Sequence, residues 1–207
     1  MTSPDFRTAL VAYIGGHARP VEKLSHQARL YELTRAVGAN ERYDDDVVFA
    51  AAWLHDLGVF IGHRPEEPEA LAEWDSAAYA MERTPEILAG FGFPAENIPA
   101  VVEAIRTHQP HQNPTTIEGT ILRDADILEQ LGATAVLRTV CKIGRDTRFH
   151  TFPDALRILQ KNAETLPGQL KLVSAQQMAG PRLQALRMFL EAAQAEGCVD
   201  EVLCPAP

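Results

Sequence analysis

Residues 47–58 read VVFAAAWLHDLG, an apolar run that ends in a histidine and an aspartate. Eight apolar residues in succession place His55 and Asp56 in or near the protein interior. A carboxylate is costly there unless it is paired, hydrogen-bonded or bound to a metal. Because Gly58 supplies a natural helix end, we expect a buried helix that stops at an ionisable pair, and the burial of this pair calls for a compensating cation.

The rest of the chain shows helical periodicity, and no segment of the sequence alternates convincingly as a strand. Pro20 opens a helix with one apolar face. This face contains His26, Leu30, Leu33 and Val37. The next helix is apolar nearly all round, which is typical of a central, buried helix. Further helices are expected over residues 4–17, 69–81, 85–90, 94–108, 115–132, 133–143, 153–165 and 174–195. The predicted fold is therefore all-α, a single-domain helical bundle.

Four local signals refine these helices. Gly15-Gly16 is expected to break the first helix, and Gly180-Pro181 is expected to kink or restart the last one. The acidic run 44–46 suits the start of the third helix, because carboxylates interact favourably with the positive end of the helix dipole. The run 115–118, Thr-Thr-Ile-Glu, predicts a capping box at the start of its helix.

Composition limits the classes of protein that the chain could be. At 207 residues it is long enough to bury a core without disulfides, and we expect one domain. A net charge of −9 argues against sequence-independent binding to nucleic acids or anionic membranes, which needs a basic surface. Residues 1–5 lack the features of a signal peptide, and no apolar run reaches the roughly 18 residues that span a bilayer. Cys141, Cys198 and Cys204 show no metal-type spacing, so we interpret them as reduced thiols of a cytoplasmic protein.

Further ionisable residues occur on apolar helix faces. His26 points inward, although a lone histidine there is more often a hydrogen-bonded core residue than a metal ligand. Arg29, one turn later, is unusual for a core and suits an anion site next to a cation. Asp124 and Asp126 lie two residues apart on a helix, so their side chains point about 160° apart and cannot both bind one ion. The helical wheel slightly favours Asp124 as the inward residue.

Taken together, these residues form the pattern H…HD…D and resemble the HD-domain superfamily of metal-dependent phosphohydrolases. Three local contexts match the family beyond the bare letters. They are residues 26–30 (HQARL, similar to H-x-x-R-[VL]), residues 51–58 (AAWLHDLG) and residues 124–133 (DADILEQLGA, similar to an element of one bacterial branch). Residues 107–109 and 113–119 also resemble that branch, and the similarity spans roughly residues 20 to 195.

The resemblance implies an HD-type helical bundle with a metal site. In this family the second carboxylate of the D-A-D element is the metal ligand. The resemblance therefore assigns one divalent ion to His26, His55, Asp56 and Asp126. It places Asp124 beside the site, against the preference of the helical wheel, which is unreliable for a helix buried on two sides.

Some relatives bind two metals through additional histidines between the HD pair and the final aspartate. His63, His108 and His111 are available for this role or for the substrate pocket. Trp74 stands about where one extra ligand is expected. We therefore expect one ion, with His108 as a pocket residue or a ligand of a second ion. Arg123 also stands near the motif residues.

Two imidazoles and two carboxylates suit a borderline or hard divalent ion. The candidates are Mn²⁺, Fe²⁺, Ni²⁺, Co²⁺, Mg²⁺ and Zn²⁺. Such an ion activates water and neutralises charge that develops on phosphorus. The second oxygen of Asp56 would orient this water or accept its proton, and Arg29 would hold a phosphate group. A basic stripe, formed by Arg138, Lys142 and Arg145 at helical spacing, is either a solvated face or a phosphate-binding groove.

Three functions remain open at the level of sequence. The first is a phosphohydrolase that acts on a phosphate ester or anhydride of a nucleotide or another small molecule. The second is another HD-type enzyme, either a cyanamide-hydratase-like hydratase or a two-iron oxygenase. The third is a non-catalytic module that binds the metal. The expected partner is a small phosphorylated substrate rather than a membrane or a nucleic acid, and a homo-oligomer is left open.

Overall fold

The fold is all-α, as predicted. A computed structural model describes residues 5–20, 22–146 and 149–197, with only the backbone described for residue 22. The α-helices in this part of the chain are α1 (Phe6–His17), α2 (Glu22–Val37), α3 (Asp45–Leu54), α4 (Pro68–Ala72), α5 (Ser76–Gly90), α6 (Ile98–Thr107), α7 (Ile117–Glu129), α8 (Gly132–Val140), α9 (Phe152–Thr165) and α10 (Val173–Ala195). Among the described residues there is no β-strand, and Ile61 and Arg64 form an isolated bridge.

The chain divides into two compact units, the first ending at Ala125 and the second beginning at Asp126. In the first unit α3 packs against α1, α2 and α6, and α5 packs against α6. In the second unit α10 packs against α8 and α9, and α8 also packs against α9. The single-domain organisation inferred from chain length stays a prediction.

Helix α3 lies at the centre of the first unit. The Asp44 carboxylate caps it by accepting hydrogen bonds from the backbone N–H groups of Asp46 and Val47. Every residue from 47 to 54 is buried, so the prediction of a central apolar helix is confirmed. Full burial of each large apolar side chain contributes about 1.5–3 kcal/mol. On α2, the predicted inward face is also buried, with His26 only 2% exposed.

Two predicted helix boundaries in the first unit are wrong, one at Gly15-Gly16 and the other at Pro85. Helix α1 continues through Gly15 and Gly16 to His17, whereas the predicted start at residue 4 lies outside the described residues. A glycine inside a helix costs about 0.5–1 kcal/mol relative to alanine, and burial of Leu10 and Ile14 on the same helix offsets this cost. Similarly, Pro85 lies inside α5 instead of opening a new helix.

Other predicted helices also differ from the observed ones. The predicted helix over 69–81 is interrupted between α4 and α5, because Asp75 caps α5 by accepting from the N–H groups of Ala77 and Ala78. The segment predicted as a helix from residue 94 begins with a 3₁₀ turn, Ala95–Asn97, before α6. Helix α10 continues through Gly180 and Pro181 without restarting.

The predicted capping box at the start of α7 does not form. Thr116, rather than Thr115, caps the helix, since its hydroxyl oxygen accepts from the Gly119 N–H at 3.1 Å. The Glu118 carboxylate accepts instead from the backbone N–H of Asp44 at 3.0 Å. Glu118 therefore holds the start of α3 rather than the start of its own helix.

Two expectations from composition concern the cysteines and the membrane. Cys141 carries an exposed, free thiol, while Cys198 and Cys204 lie outside the described residues. In the part of the chain that the structure describes, none of the helices is both long and apolar enough to cross a membrane.

Candidate metal centre

Three of the predicted ligands converge in the first unit. His26 lies on α2, His55 caps the end of α3, and Asp56 begins the 3₁₀ turn Leu57–Val59 that follows. Their ligand atoms all lie within 4.8 Å of one another. The His26 Nε2 is 3.7 Å from Asp56 Oδ2, and the His55 Nε2 is 3.5 Å from Asp56 Oδ1. Both imidazoles are buried, and the three ligand atoms are close enough together to hold one cation.

The turn that follows α3 gives this pair its geometry. The His55 N–H still donates to the Ala51 carbonyl, whereas Asp56 leaves the helix with φ −95° and ψ 9°. Two residues later the backbone of Gly58 passes very close to Ser76, since a Cβ on Gly58 would lie 2.4 Å from the Ser76 carbonyl oxygen. Glycine is therefore required at this position for steric reasons.

Trp74 stabilises the same turn. Its indole Nε1–H donates to the Gly58 carbonyl oxygen at 2.7 Å. Trp74 stands about where an additional metal ligand is expected by resemblance, and the structure shows a hydrogen-bonding role for it. Asp56 is thus held from its C-terminal side by a side chain that comes from the segment between α4 and α5.

Hydrogen bonds to carbonyl groups orient two of the imidazoles. The Nδ1 of His55 lies 3.0 Å from the Ala52 carbonyl oxygen. Because a carbonyl only accepts, Nδ1 carries a proton, and in the neutral imidazole Nε2 then has the lone pair. His108, the C-terminal cap of α6, has the same arrangement, with Nδ1–H donating to the Ile105 carbonyl. Neutral imidazoles held in this tautomer are suited to bind a metal through Nε2.

Among the other histidines predicted near the site, His108 contacts the cluster through His55. It is buried, and its ring centroid lies 5.0 Å from that of His55. His63 is half-buried and contacts His17 and Tyr79. Burial lowers the pKa of His63, with further lowering from the nearby His17 and Arg83. His111 is exposed.

The two candidate carboxylates of α7 have different surroundings. Asp124 is fully buried and pairs with Arg123, whose Nη1 lies 3.3 Å from Asp124 Oδ1. Arg123 also donates through Nη2 to the Pro110 carbonyl at 2.6 Å, so it braces the loop that follows His108. Asp126 is half-buried, and its Oδ2 accepts from the Gln130 amide at 3.1 Å. The role of Asp126 as the fourth ligand stays a prediction.

Two cations of α2 flank His26 in sequence. The Nη1 of Arg29 donates to the Ser25 hydroxyl at 3.0 Å. The Lys23 ammonium lies 3.9 Å from Asp56 Oδ2, and its side chain is only 21% exposed. Sequence reasoning missed Lys23, although its position three residues before His26 places both on one side of the helix. Lys23 is therefore a further candidate site residue.

The family of the chain follows from comparison with known proteins. The HD domain model matches residues 24–131, which is more than half of the chain and contains all four predicted ligands. The chain belongs to the HD domain family. Its structure resembles several solved structures, although no curated protein matches the chain.

Three solved structures illustrate the similarity of this HD domain. A predicted HD superfamily hydrolase from an uncultured Thermotogales bacterium is 25% identical, with a TM-score of 0.61 over 92% of this chain and 90% of that one. An HD-superfamily hydrolase from Bacillus thuringiensis is 19% identical, with a TM-score of 0.67 over 96% and 100%. YpgQ of Bacillus subtilis, solved in complex with ADP, is 20% identical, with a TM-score of 0.64 over 94% of each chain. These likenesses support the HD fold.

Membership of the HD domain family implies divalent metal binding, and the residues present fit such an ion. Two imidazole nitrogens and a carboxylate are donors that borderline divalent ions accept. The chemistry of the donors and the family thus agree.

The predicted basic stripe lies in the second unit, outside the residues that the HD domain model matches. Arg138 Nη1 is 3.3 Å from the buried Glu129 carboxylate, and the Lys142 ammonium lies 5.5 Å from the centroid of the Phe149 ring. Arg145 donates to the Cys141 carbonyl at 3.4 Å. Each residue thus has a local partner, and phosphate binding by the stripe stays a prediction.

Substitutions of the two α7 carboxylates by asparagine should have different effects. Asp126→Asn should lower the metal content with little change in the unfolding free energy of the metal-free protein, because Asp126 is half-buried. Asp124→Asn should lower the unfolding free energy by about 3 kcal/mol, since it removes the charged partner of a buried guanidinium. Elemental analysis and urea denaturation measure the two effects. Loss of metal from Asp124→Asn alone would reverse the assignment.

Proposed function

We propose that this HD domain is a metal-dependent phosphohydrolase that acts on a phosphate ester or anhydride of a nucleotide or another small molecule. The observation that carries the proposal is the cluster of His26, His55 and Asp56 with the Lys23 ammonium beside it. A cation held next to a metal site favours an anionic substrate, particularly in a protein with a net charge of −9.

The residues of the site have separate roles in this reaction. A bound divalent ion would activate a water molecule and neutralise charge that develops on phosphorus. The Asp56 carboxylate oxygen that is not engaged as a ligand would orient the attacking water and accept its proton. Lys23 would bind a phosphate oxygen as a compact point charge, and Arg29 would do so through its planar guanidinium. His108 would form the buried wall beside His55.

Nucleotides are the first substrate class to test. YpgQ shares this fold and was solved in complex with ADP. At this level of identity the likeness does not assign the same ligand to the present chain. It does support including nucleoside mono-, di- and triphosphates with generic phosphodiesters in a substrate screen.

The deciding experiment is a screen of metals against substrates. Purified protein is freed of metal and loaded with each candidate divalent ion in turn. It is then assayed for release of phosphate or pyrophosphate and, with the phosphodiesters, for release of the alcohol. We expect activity with at least one redox-inert ion. Hydration of a nitrile-like substrate, or activity that requires iron and oxygen, would replace the proposal with one of the other HD-type chemistries. A loaded protein inactive on every substrate would favour a non-catalytic module.

Both α2 cations, Lys23 and Arg29, should contribute to the hydrolysis of phosphorylated substrates. Lys23→Met and Arg29→Ala should each lower kcat/KM by roughly 30- to 1,000-fold, corresponding to the roughly 2–4 kcal/mol lost with one pre-organised charge partner. Arg29→Lys should lose less than Arg29→Ala, because it keeps the charge without the planar fork. Steady-state kinetics with the best substrate of the screen provides the measurement.

A control separates substrate binding from stability. Lys161→Met changes an exposed lysine of α9 and should leave kcat/KM unchanged. Metal content and melting temperature should stay near the wild-type values in the α2 variants. If Lys23→Met and Arg29→Ala lower the melting temperature but keep full activity per folded molecule, these cations brace the helices and do not bind substrate.

A further inference from the structure

Two further imidazoles meet near the surface of the first unit. His17 is the last residue of α1, and His63 lies in the segment that follows the 3₁₀ turn Leu57–Val59. The Nδ1 of His17 is 2.7 Å from the Nε2 of His63, and the ring centroids are 4.8 Å apart. His17 is exposed and His63 is half-buried. Neither residue belongs to the cluster of His26, His55 and Asp56.

The two rings are oriented by the structure around them. The segment before His63 is joined to the segment after α1 by a backbone hydrogen bond from Ile61 N–H to the Arg19 carbonyl, at 3.0 Å. The Tyr13 ring packs against the His17 ring with centroids 4.3 Å apart and an interplanar angle of 31°. The pair is therefore preformed.

Tyr79 orients His63 from its other nitrogen. The Nδ1 of His63 lies 3.0 Å from the Tyr79 hydroxyl. When Nδ1–H donates to this hydroxyl oxygen, Nε2 carries the lone pair and accepts a hydrogen bond from the His17 Nδ1–H. This is the arrangement in which histidines bind metals, where the second ring nitrogen donates to an oxygen that fixes the tautomer.

The spacing of the two nitrogens suits chelation. With metal–nitrogen bonds of about 2.0–2.1 Å, two neighbouring imidazole nitrogens on one ion lie roughly 2.9–3.4 Å apart, the longer value for a tetrahedral ion. The observed 2.7 Å would have to open by about 0.2–0.7 Å. The proton that His17 holds on Nδ1 would move to its Nε2, so both nitrogens facing the ion would have lone pairs. Water would fill the remaining positions because His17 is exposed.

We propose that His17 and His63 form a second metal site, which binds a borderline divalent transition-metal ion through His17 Nδ1 and His63 Nε2. Imidazole donors suit Zn²⁺, Ni²⁺ and Cu²⁺, whereas Mg²⁺ prefers oxygen donors. The site has no carboxylate among its two ligands and is separate from the predicted catalytic ion. An ion bound there would join the end of α1 to the segment that follows the 3₁₀ turn Leu57–Val59.

The test uses Cu²⁺ and Zn²⁺ with the full chain. In an Asp56→Ala background, which disables the first cluster, equilibrium dialysis should still find bound ion. His17→Ala should weaken this binding at least 100-fold, and Tyr79→Phe should weaken it about 10-fold, the scale for loss of an orienting partner. Electron paramagnetic resonance of the Cu²⁺ complex should show two nitrogen ligands, and this signal should be lost in His17→Ala.

The control is His150→Ala, which removes a single exposed imidazole and should not change the binding. His17 is exposed at a helix end, so His17→Ala should stay folded, and circular dichroism checks this. Equal Cu²⁺ and Zn²⁺ binding by the Asp56→Ala protein with and without His17 would overturn the proposal and leave the pair as a hydrogen bond only.

Discussion

Asp56→Ala should lower the metal content and strongly reduce the proposed hydrolytic activity. Asp56 contributes two carboxylate oxygens, one 3.7 Å from His26 Nε2 and the other 3.5 Å from His55 Nε2. Without them, the two imidazoles of the cluster and the predicted ligand Asp126 would be left to hold the ion. Since a metal ion supplies several kcal/mol of transition-state stabilisation, activity should fall by about 10³-fold or more.

The matched control for this prediction is Asp75→Ala. Like Asp56, Asp75 lies in the first unit and directly precedes a helical segment, but its carboxylate caps α5. Its replacement should cost about 1 kcal/mol of stability and leave the metal content of the HD site unchanged. Elemental analysis of both variants provides the comparison, after loading with the same ion in a His17→Ala background that removes the second proposed site. A full metal complement in Asp56→Ala would exclude this cluster as the metal centre.

Gly58→Ala should destabilise the fold and disturb the metal centre together. The added Cβ would lie 2.4 Å from the Ser76 carbonyl oxygen and 2.8 Å from the Ser76 Cα. Both contacts are with backbone, so no flexible side chain can move aside. We expect a loss of about 3 kcal/mol in unfolding free energy, the upper end of the usual range for overpacking. Metal affinity should also fall, because Asp56 lies two residues before the displaced backbone.

A glycine in open surroundings provides the control. Apart from its chain neighbours and the nearby backbone of its own helix, a Cβ on Gly16 would meet no atom within 4 Å, and Gly16 lies inside α1. Gly16→Ala should therefore stabilise the protein by about 0.5–1 kcal/mol. Urea denaturation of both metal-free variants gives the two free energies. If Gly58→Ala unfolds at the wild-type urea concentration, the close approach of Ser76 does not constrain this turn.

Local sequence patterns predicted the central features of this protein. The apolar run 47–54 predicted a helix that is buried on all sides, and α3 is such a helix. The face of α2 that contains His26 is also read from helical spacing alone. These predictions succeed because burial of a periodic apolar face depends on residues that are close in sequence.

Boundaries were less predictable where a weak local signal competed with packing. Gly15 and Gly16 are poor helix formers, yet α1 includes them. Pro85 and Pro181 likewise lie inside helices. A local preference of about 1 kcal/mol for glycine is outweighed when the rest of the helix buries apolar side chains.

The tertiary structure alone decided which polar groups meet. Glu118 binds the N–H of Asp44, 74 residues earlier in the chain, although the sequence pattern assigns it to its own helix. Lys23 meets Asp56 only because α2 packs against α3. The sequence by itself determined the helices and the HD motif, because helical periodicity and capping act over one or two turns. Contacts between distant polar groups depend on how whole helices pack, and no local pattern encodes that.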